Sequence, residues 1–539
     1  MAKGYRPVDR DQVFLLPPDM REWLPAGHAV YLVVEALGLM DTGVFHAGRR
    51  TGGAGAAGYD PDMLLGVLVW AYAHKETSSR RLEELCRTDV AFRVICAGNL
   101  PDHSTIARFR KDFGEAVPGF FAEVLILCGR LGMGRLGVVA LDGTKVAASA
   151  SKAANRTEER LRELAGQAVA AHAAADAAED ELFGAGRRGD ELPPDEDGAG
   201  WSPRRRGERI REALAQLEAE RAAEQAGRDA KAEEFRARQR AGRRTGPAPA
   251  GSAVALAEEN LARVTAARQA QLAQLAEQRG GRPRGGRLAG VEDYCRVREA
   301  AAQVERARER EAQRQAAAEQ AAGPGPVRNV TDPDSRLMPA RNGFIQGYNA
   351  QNVVSEDGLV IATALTDDTT DMAWFAPMIE QAQQAAALIG AHQPPAAPGQ
   401  EQDSGPGGIE LVLADAGYCS EENLTCPGPD RLIAVGKRRD LEKAARDSGS
   451  PEQDRGGPAV QAMRERLRTE DGIAAYRRRG HIAETPHGHI KHNMGLRQLT
   501  MRGKDKAAAE WAFTCAVHNL FKALTAGHLT PQALAGLAG

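Results

Sequence analysis

The chain has 539 residues, too many for a single hydrophobic core, so two or three domains are expected. Its 70 Lys and Arg and 73 Asp and Glu give a net charge of −3, which excludes a uniformly basic nucleic-acid coat protein. No apolar run reaches the roughly 18 residues of a membrane span, and no signal core occurs, so neither membrane insertion nor secretion is expected. The seven cysteines form no C-x-x-C pair, and scattered thiols of this kind are typical of a cytoplasmic protein.

Residues 1–130 are predicted to form a helical N-terminal domain. Apolar residues recur at helical spacing in DPDMLLGVLVWAYA, and a second apolar stripe follows it. Ser104 and Thr105 are then predicted to cap a further helix. That helix carries the cations Arg108, Arg110 and Lys111. A short turn followed by a helix with early cations suits docking in the DNA major groove, although a solvated amphipathic helix has the same pattern.

Two predicted strands are each followed by an aspartate. The β-rich run 138–141 precedes Asp142, and the apolar run in IELVLADAGYCS precedes Asp415. Gly143 and Gly417 follow the acids and are predicted to turn the chain and leave the carboxylates exposed. Because open α/β sheets bind ligands at the carboxyl ends of their strands, we expect the two aspartates to meet at one sheet edge.

Between these strands, residues 151–328 are rich in Ala, Arg, Glu and Gln and are predicted to form an inserted set of long helices. Ile210, Leu214 and Leu217 form a narrow, coiled-coil-like apolar seam there. Strands return in FIQGYNAQNVVSEDGLVIATALTDD, which predicts a hairpin around an Asp-Gly turn, and a helix with Pro377 in its first turn follows.

This order of elements predicts one α/β domain that is split by a helical insertion. The expected divisions are residues 1–130 for the N-terminal domain, 131–150 with 329–525 for the α/β domain, 151–328 for the insertion and 526–539 for a C-terminal tail.

A third acid stands out in the segment YRRRGHIAETPHGHIKHN. Glu484 is the single acid there, among arginines, histidines and Lys491. Thr485 and Pro486 have the residue types of an N-cap and a first helical residue, so a helix is predicted to begin there, with Lys491 two turns beyond Glu484. Residues 476–506 hold eight Lys or Arg and two acids, which fits a phosphate footprint or a solvated helix face.

Three carboxylates gathered at one edge repel one another, and at neutral pH a shared cation must offset the repulsion. Hard oxygen ligands favour Mg²⁺ or Mn²⁺. Two such ions about 4 Å apart stabilise both oxygens of an in-line phosphoryl transfer, so no protein nucleophile is required. A zinc site is the alternative, although no cysteine lies near its candidate ligands. Those ligands would be His487, His489 and His492.

These blocks, in this order, resemble the DDE transposases of bacterial insertion sequences, in the group with a Tyr-Arg-Glu-Lys signature near the third acid. VVALDGTKVAASASKAANRT, LVLADAGYCSEENL and YRRRGHIAETPHGHIKHNMGLRQLTMRG are similar to the blocks that carry the first, second and third acids. EWAFTCAVHNLFKA is similar to the closing helix, and the segment from GYDPDMLLG to ARFRKDF resembles the N-terminal helical domain of this group.

The resemblance implies a ribonuclease-H-like α/β catalytic domain with a mixed sheet flanked by helices, interrupted by a long α-helical or coiled-coil insertion and preceded by an all-α domain. It implies a catalytic triad that binds two Mg²⁺ or Mn²⁺ ions. By motif position, the triad consists of Asp142, Asp415 and Glu484. The implied reaction is cleavage at the ends of the element and attack of the freed 3′-hydroxyl on target DNA.

The signature also implies side chains that contact DNA near the active site. These are Tyr476, Lys491 and either Arg478 or Arg479. The arginine is left open because four residues, instead of the usual three, separate Arg479 from Glu484. The implied partners are double-stranded DNA, as terminal inverted repeats and as target, and a second copy of the chain in the DNA complex. The implied location is the cytoplasm, with nucleoid association when DNA is bound.

Two other functions remain compatible with the sequence. One is a ribonuclease-H-like nuclease that cuts DNA without strand transfer. The other is a non-catalytic DNA-binding or scaffold protein derived from a transposase, which would retain its effect after Asp142→Ala.

Overall fold

The computed structural model describes residues 19–47, 58–167, 203–242, 248–279, 289–321, 327–340, 343–395, 408–436 and 456–538. They belong to two compact units, one from residues 1–154 and 331–539 and the other from residues 155–330. Across these ranges, no helix is both long and apolar enough to cross a membrane. The predicted breaks at GDELPPDEDGAGWSP and GGRPRGG and the predicted loop SGSPEQDRGGP fall wholly or mainly outside the described residues.

The first unit begins with helices, as predicted. Their bounds are α1 (Ala29–Gly38), α2 (Gly43–His46), α3 (Pro61–Ala73), α4 (Ser79–Thr88), α5 (Val90–Ile95), α6 (His103–Asp112) and α7 (Val117–Arg130). The predicted cap of α6 is wrong: Asp102 is the N-cap, and its side chain accepts a hydrogen bond from the Thr105 backbone amide. Asp102 also accepts from the Thr105 hydroxyl, so Thr105 lies inside the helix that it was expected to precede.

The strands are β1 (Val138–Ala147), β2 (Asn155–Thr157), β3 (Val327–Asn329), β4 (Arg336–Ala340), β5 (Gly343–Ser355), β6 (Val360–Thr366), β7 (Leu411–Ala414) and β8 (Asp430–Ile433). In the first unit the strand order is β4-β5-β1-β7-β8, and β6 also pairs with β5. β1, β7 and β8 run parallel, whereas β5 is antiparallel to β1, β4 and β6. The predicted hairpin is therefore present as β5 and β6, in a mixed sheet.

β1 is longer than the sequence predicted. It was expected to end before Asp142, but it continues to Ala147 because β5 pairs with it from Val139 to Ala147. Its parallel pairing with β7 does end where expected, at Leu141 opposite Ala414. Gly143 therefore lies within a strand and makes no turn.

The second unit contains a helix at 158–167 and the long helices α8 (Pro203–Arg240), α9 (Ser252–Arg279) and α10 (Cys295–Ala321). β2 and β3 pair as a separate two-stranded sheet in this unit. The predicted seam residues Ile210 and Leu217 are buried, and they form a small apolar cluster with Leu161 of the short helix. The coiled-coil character of this segment stays a prediction.

α9 and α10 lie side by side and antiparallel. Arg308 of α10 forms an ion pair with Glu258 of α9, and Glu311 of α10 accepts a hydrogen bond from the Gly251 backbone amide just before α9. The segment thus contains long helices, as predicted, and two of them form an antiparallel pair.

The remaining helices of the first unit lie between and after its last strands in the chain. Their bounds are α11 (Phe375–His392), α12 (Glu421–Thr425), α13 (Pro458–Arg466), α14 (Glu470–Gly488), α15 (Lys504–Thr525) and α16 (Pro531–Ala538). Pro377 lies in the first turn of α11, as predicted. Phe513 of α15 packs against Tyr72, Phe113 and Phe120, so the N-terminal helices and the sheet share one apolar core. The domain division at residue 130 stays a prediction.

Candidate active site

Asp142 and Asp415 occupy equivalent positions on neighbouring parallel strands. Each follows directly on the last residue of the parallel pairing between β1 and β7, which is Leu141 in β1 and Ala414 in β7. The chain after Asp415 turns into a short 3-10 helix, and the Asp415 carboxylate caps it by accepting the Gly417 backbone amide at 2.9 Å. The structure thus brings the two aspartates to one sheet edge.

Arg479 bridges these two carboxylates. Its Nη2 lies 2.8 Å from Asp142 Oδ1 and 3.8 Å from Asp415 Oδ2. The side chains of Arg479 and Asp142 are each 14% exposed, whereas that of Asp415 is 41% exposed. The two acids therefore share one largely buried cation, and Arg479 rather than Arg478 is the signature arginine that reaches them.

The two aspartates differ in protonation behaviour. Burial opposes ionisation of Asp142, but the neighbouring His487 imidazole and the charge of Arg479 outweigh that effect and lower the pKa of Asp142. Burial also raises the pKa of Asp415, and there the negative charge of Asp142 acts in the same direction. A second positive charge near Asp415 would therefore stabilise its ionised form.

Glu484 lies inside α14, and the predicted helix start at Thr485 and Pro486 is wrong. Thr469 is the N-cap of α14, and Pro486 lies near the end of the helix. The Thr485 hydroxyl donates to the His481 carbonyl one turn earlier, as a Thr in mid-helix does. Glu484 is exposed, and no hydrogen bond or ion pair of its carboxylate occurs among the described residues. Its negative charge nevertheless helps to raise the pKa of Arg479, although burial acts in the opposite sense.

The regular α-helix does not extend to Lys491. Residues His489–Asn493 form a π-helix, so the predicted spacing of two α-helical turns between Glu484 and Lys491 does not hold. π-helical turns are rare and occur often at functional sites.

The signature side chains attach α14 and this π-helix to the sheet beside the acids. The Tyr476 hydroxyl donates to the Ala414 carbonyl at 3.2 Å, directly before Asp415. Lys491 Nζ donates to Thr144 Oγ1 at 2.6 Å and to the Lys145 carbonyl at 2.8 Å. Together with the contact of Arg479, these bonds hold the segment that carries Glu484 against β1 and β7. Arg478 instead pairs with Glu356 in the turn between β5 and β6.

The histidines of this segment do not form the alternative zinc site. His487 Nδ1 lies 3.6 Å from Asp142 Oδ2, whereas His489 pairs with His518 and His492 pairs with Arg497. Within the described ranges, a group of three potential metal ligands is found at His46, Asp60 and Asp62. That group is exposed, and Asp60 already caps α3.

Asp371, which no sequence pattern singled out, lies after β6 and joins the two aspartates at this sheet edge. Its Oδ1 accepts hydrogen bonds from Asn349 Nδ2 at 2.6 Å and Gln351 Nε2 at 2.7 Å, both on β5. Lys145 Nζ lies 3.7 Å from the same oxygen. The run TDDTTD holds several acids, and only the pairing of β5 with β1 shows which of them reaches the site.

The cations of α6 point in different directions. Arg108 and Lys111 are exposed, as a DNA-contacting role requires. Arg110 is half-buried and donates to the Thr77 carbonyl just before α4. The Arg110 side chain thus supports the packing of the N-terminal helices.

The residues at the sheet edge fit a hard divalent cation. Asp142 and Asp415 supply carboxylate oxygens, and His487 Nε2 is a buried polar atom with no hydrogen-bond partner in the described part of the chain. Arg479 places a positive charge between the two acids, so a divalent ion that binds both of them would take its place.

Two segments of the chain match models of protein families. Residues 18–112 match a transposase domain (DUF772), and residues 452–524, which include Arg479 and Glu484, match a transposase DDE domain. These two segments, which together make up less than a third of the chain, are thus similar to a transposase domain and to a transposase DDE domain. No curated protein and no solved structure matches it. The two matches support a DDE transposase of insertion sequences, a class of enzymes that generally uses divalent metal ions.

Proposed function

We propose that this transposase cleaves DNA at the ends of its own element and joins the freed 3′-hydroxyl to target DNA. The observation that carries the proposal is the convergence of Asp142 and Asp415 on Arg479, at the carboxyl ends of neighbouring parallel strands. The order β6-β5-β1-β7-β8, with β1, β7 and β8 parallel, supports a ribonuclease-H-like core. Glu484, on the helix attached to this edge, is the proposed third member of the triad.

In this proposal the acids hold two Mg²⁺ or Mn²⁺ ions. Bound ions would activate the attacking water or 3′-hydroxyl and stabilise the leaving oxygen. The chain itself positions the acids: Tyr476 and Lys491 fix α14 and the π-helix against the strands, and the strand register fixes the spacing of the aspartates. No protein nucleophile takes part.

DNA would approach this edge along a cationic surface. The proposed contacts are Tyr476, Arg478, Arg479, Lys491, Arg108 and Lys111, with inward-facing Arg110 no longer included. Such contacts to phosphate give affinity that falls with salt and carries little sequence preference. Because two element ends must be held together, a homodimer in the DNA complex is part of the proposal.

The proposal is tested with purified protein and a duplex that ends in the terminal repeat of the element. In Mg²⁺, the wild type should nick that end and, when given a pre-cut end, join it to a plasmid. Asp142→Asn, Asp415→Asn and Glu484→Gln should each abolish both steps and retain DNA binding. Glu470→Gln, at an exposed acid in the first turn of the same helix, should behave as wild type. Cleavage that survives in any triad variant would refute the assignment, and cutting without joining would favour the nuclease.

A further inference from the structure

The Asp371 carboxylate lies in a loop, yet buried side chains of a neighbouring strand hold it beside Asp142 and Asp415. It is the N-cap residue of the 3-10 helix Met372–Trp374, yet its side chain makes no capping hydrogen bond. The carboxylate turns instead toward the strands, where its side chain is 22% exposed. Asn349 and Gln351, which donate to it, are both fully buried.

The two oxygens of Asp371 have different surroundings. Oδ1 accepts both amides and faces Lys145, whereas Oδ2 has no hydrogen bond within the described ranges. Metal-binding carboxylates are commonly oriented in this way, with one oxygen fixed by donors and the other left for the ion.

The Oδ2 oxygen of Asp371 lies near the same glycine as the Asp415 carboxylate. A Cβ atom placed on Gly417 would lie 3.0 Å from Asp415 Oδ1 and 3.1 Å from Asp371 Oδ2, so the two carboxylates flank the same glycine. A Cβ on Gly143 would lie 2.6 Å from Asp371 Oδ1. Both glycines that follow the predicted catalytic aspartates thus leave room for Asp371.

A second observation points to a ligand at this place. Asn349 donates its Nδ2 to Asp371, but its Oδ1 is buried and has no partner among the described residues. An unsatisfied buried acceptor is costly, and a water of a hydrated ion can donate to it.

We propose that Asp371 is a further carboxylate ligand of the divalent cation held by Asp142 and Asp415. The inference rests on the proposed metal-dependent function, and it adds a ligand from outside the triad. Asn349 and Gln351 are the positioning residues, since they fix Oδ1 and direct Oδ2 toward the ion.

The first test measures Mn²⁺ binding to the DNA-free protein by electron paramagnetic resonance. Asp371→Asn and Asp142→Asn should each weaken binding by at least roughly tenfold. Asp367→Asn is the matched control, because Asp367 lies in the same loop but pairs with Lys504 and Arg336. Wild-type affinity in Asp371→Asn beside weakened binding in Asp142→Asn would overturn the inference and leave the proposed function intact. Unchanged binding in both variants would refute the metal site and the proposed function with it.

A second test needs no variant and so does not depend on how Asp371→Asn folds. The wild-type protein is loaded with Fe²⁺, and ascorbate and peroxide then generate hydroxyl radicals that cut the backbone near the ion. Cuts should map next to Asp142, Asp371 and Asp415, and excess Mg²⁺ should suppress them. Cuts near Asp142 and Asp415 alone would exclude Asp371 as a ligand.

Discussion

Replacing Arg479 by glutamine should reveal how strongly the acidic edge depends on a cation. In the wild type the guanidinium contacts Asp142 at 2.8 Å, and both side chains are 14% exposed. Loss of one partner from a buried ion pair costs about 3–5 kcal/mol, because the other charge stays buried without compensation. The contact with Asp415 adds little, since that carboxylate is 41% exposed and 3.8 Å away. Glutamine can still donate one hydrogen bond, so we expect a loss of about 3 kcal/mol.

The same substitution should strengthen metal binding. The guanidinium lies between the carboxylates that are proposed to bind the ion, so a divalent cation must displace it. Without this competitor, Arg479→Gln should bind Mn²⁺ about tenfold more tightly, which corresponds to about 1.4 kcal/mol. Saturating Mn²⁺ should therefore restore much of the lost stability, and it should raise the unfolding temperature more in the variant than in the wild type.

The assay combines urea unfolding in EDTA with calorimetric titration of Mn²⁺. Arg478→Gln is the control, because its ion pair with Glu356 is exposed on both sides and contributes no more than about 1 kcal/mol. If Arg479→Gln were as stable as the wild type in EDTA, or bound Mn²⁺ more weakly, Arg479 would not be the counter-ion of these acids.

Two further predictions follow from buried contacts. Gly143→Ala should lower the free energy of unfolding by about 1–3 kcal/mol, because the added Cβ would clash with Asp371 Oδ1 and Gln351 Nε2. Urea titration measures this loss, and wild-type stability would show that the loop that carries Asp371 is free to move. Burial lowers the pKa of His518 to about 3, whereas its pKa in the unfolded chain is near 6.5. Below pH 6.5 the unfolded chain therefore binds a proton that the native chain does not, and the free energy of unfolding falls as the pH decreases. Between pH 6.5 and 5.5 the wild type should lose about 1 kcal/mol more than His518→Gln, and equal losses would contradict the burial of a neutral His518.

The sequence predicted the placement of Asp142 and Asp415 at one sheet edge, because each position depends on a single short strand. Asp142 and Asp415 each follow a short apolar run, and parallel pairing of those runs is sufficient to place them side by side. The same logic failed for the length of β1, because the extension to Ala147 depends on β5, more than 190 residues later in the chain. Pairing with a distant strand leaves no local signal in the sequence.

The helix around Glu484 shows the limit of local capping rules. A Thr-Pro pair commonly starts a helix, but here α14 begins at Glu470 and contains Pro486 one turn before its π-helical continuation. The position of Asp371 was equally hidden, since TDDTTD offers several acids and the choice among them is made by Asn349 and Gln351 on a neighbouring strand. Contacts between distant parts of the chain determine both the extent of α14 and the position of Asp371.

Cations of the proposed active site are also the counter-ions of its acids. Arg479 neutralises Asp142 and Asp415, while Lys145 lies beside Asp371. A cluster of carboxylates without such partners would repel and destabilise the sheet edge. We infer that bound divalent ions take over this neutralisation, which would free Arg479 to bind phosphate. The density of positive charge around one glutamate then has two causes: it stabilises the fold before DNA binds, and it holds the backbone of the DNA afterwards.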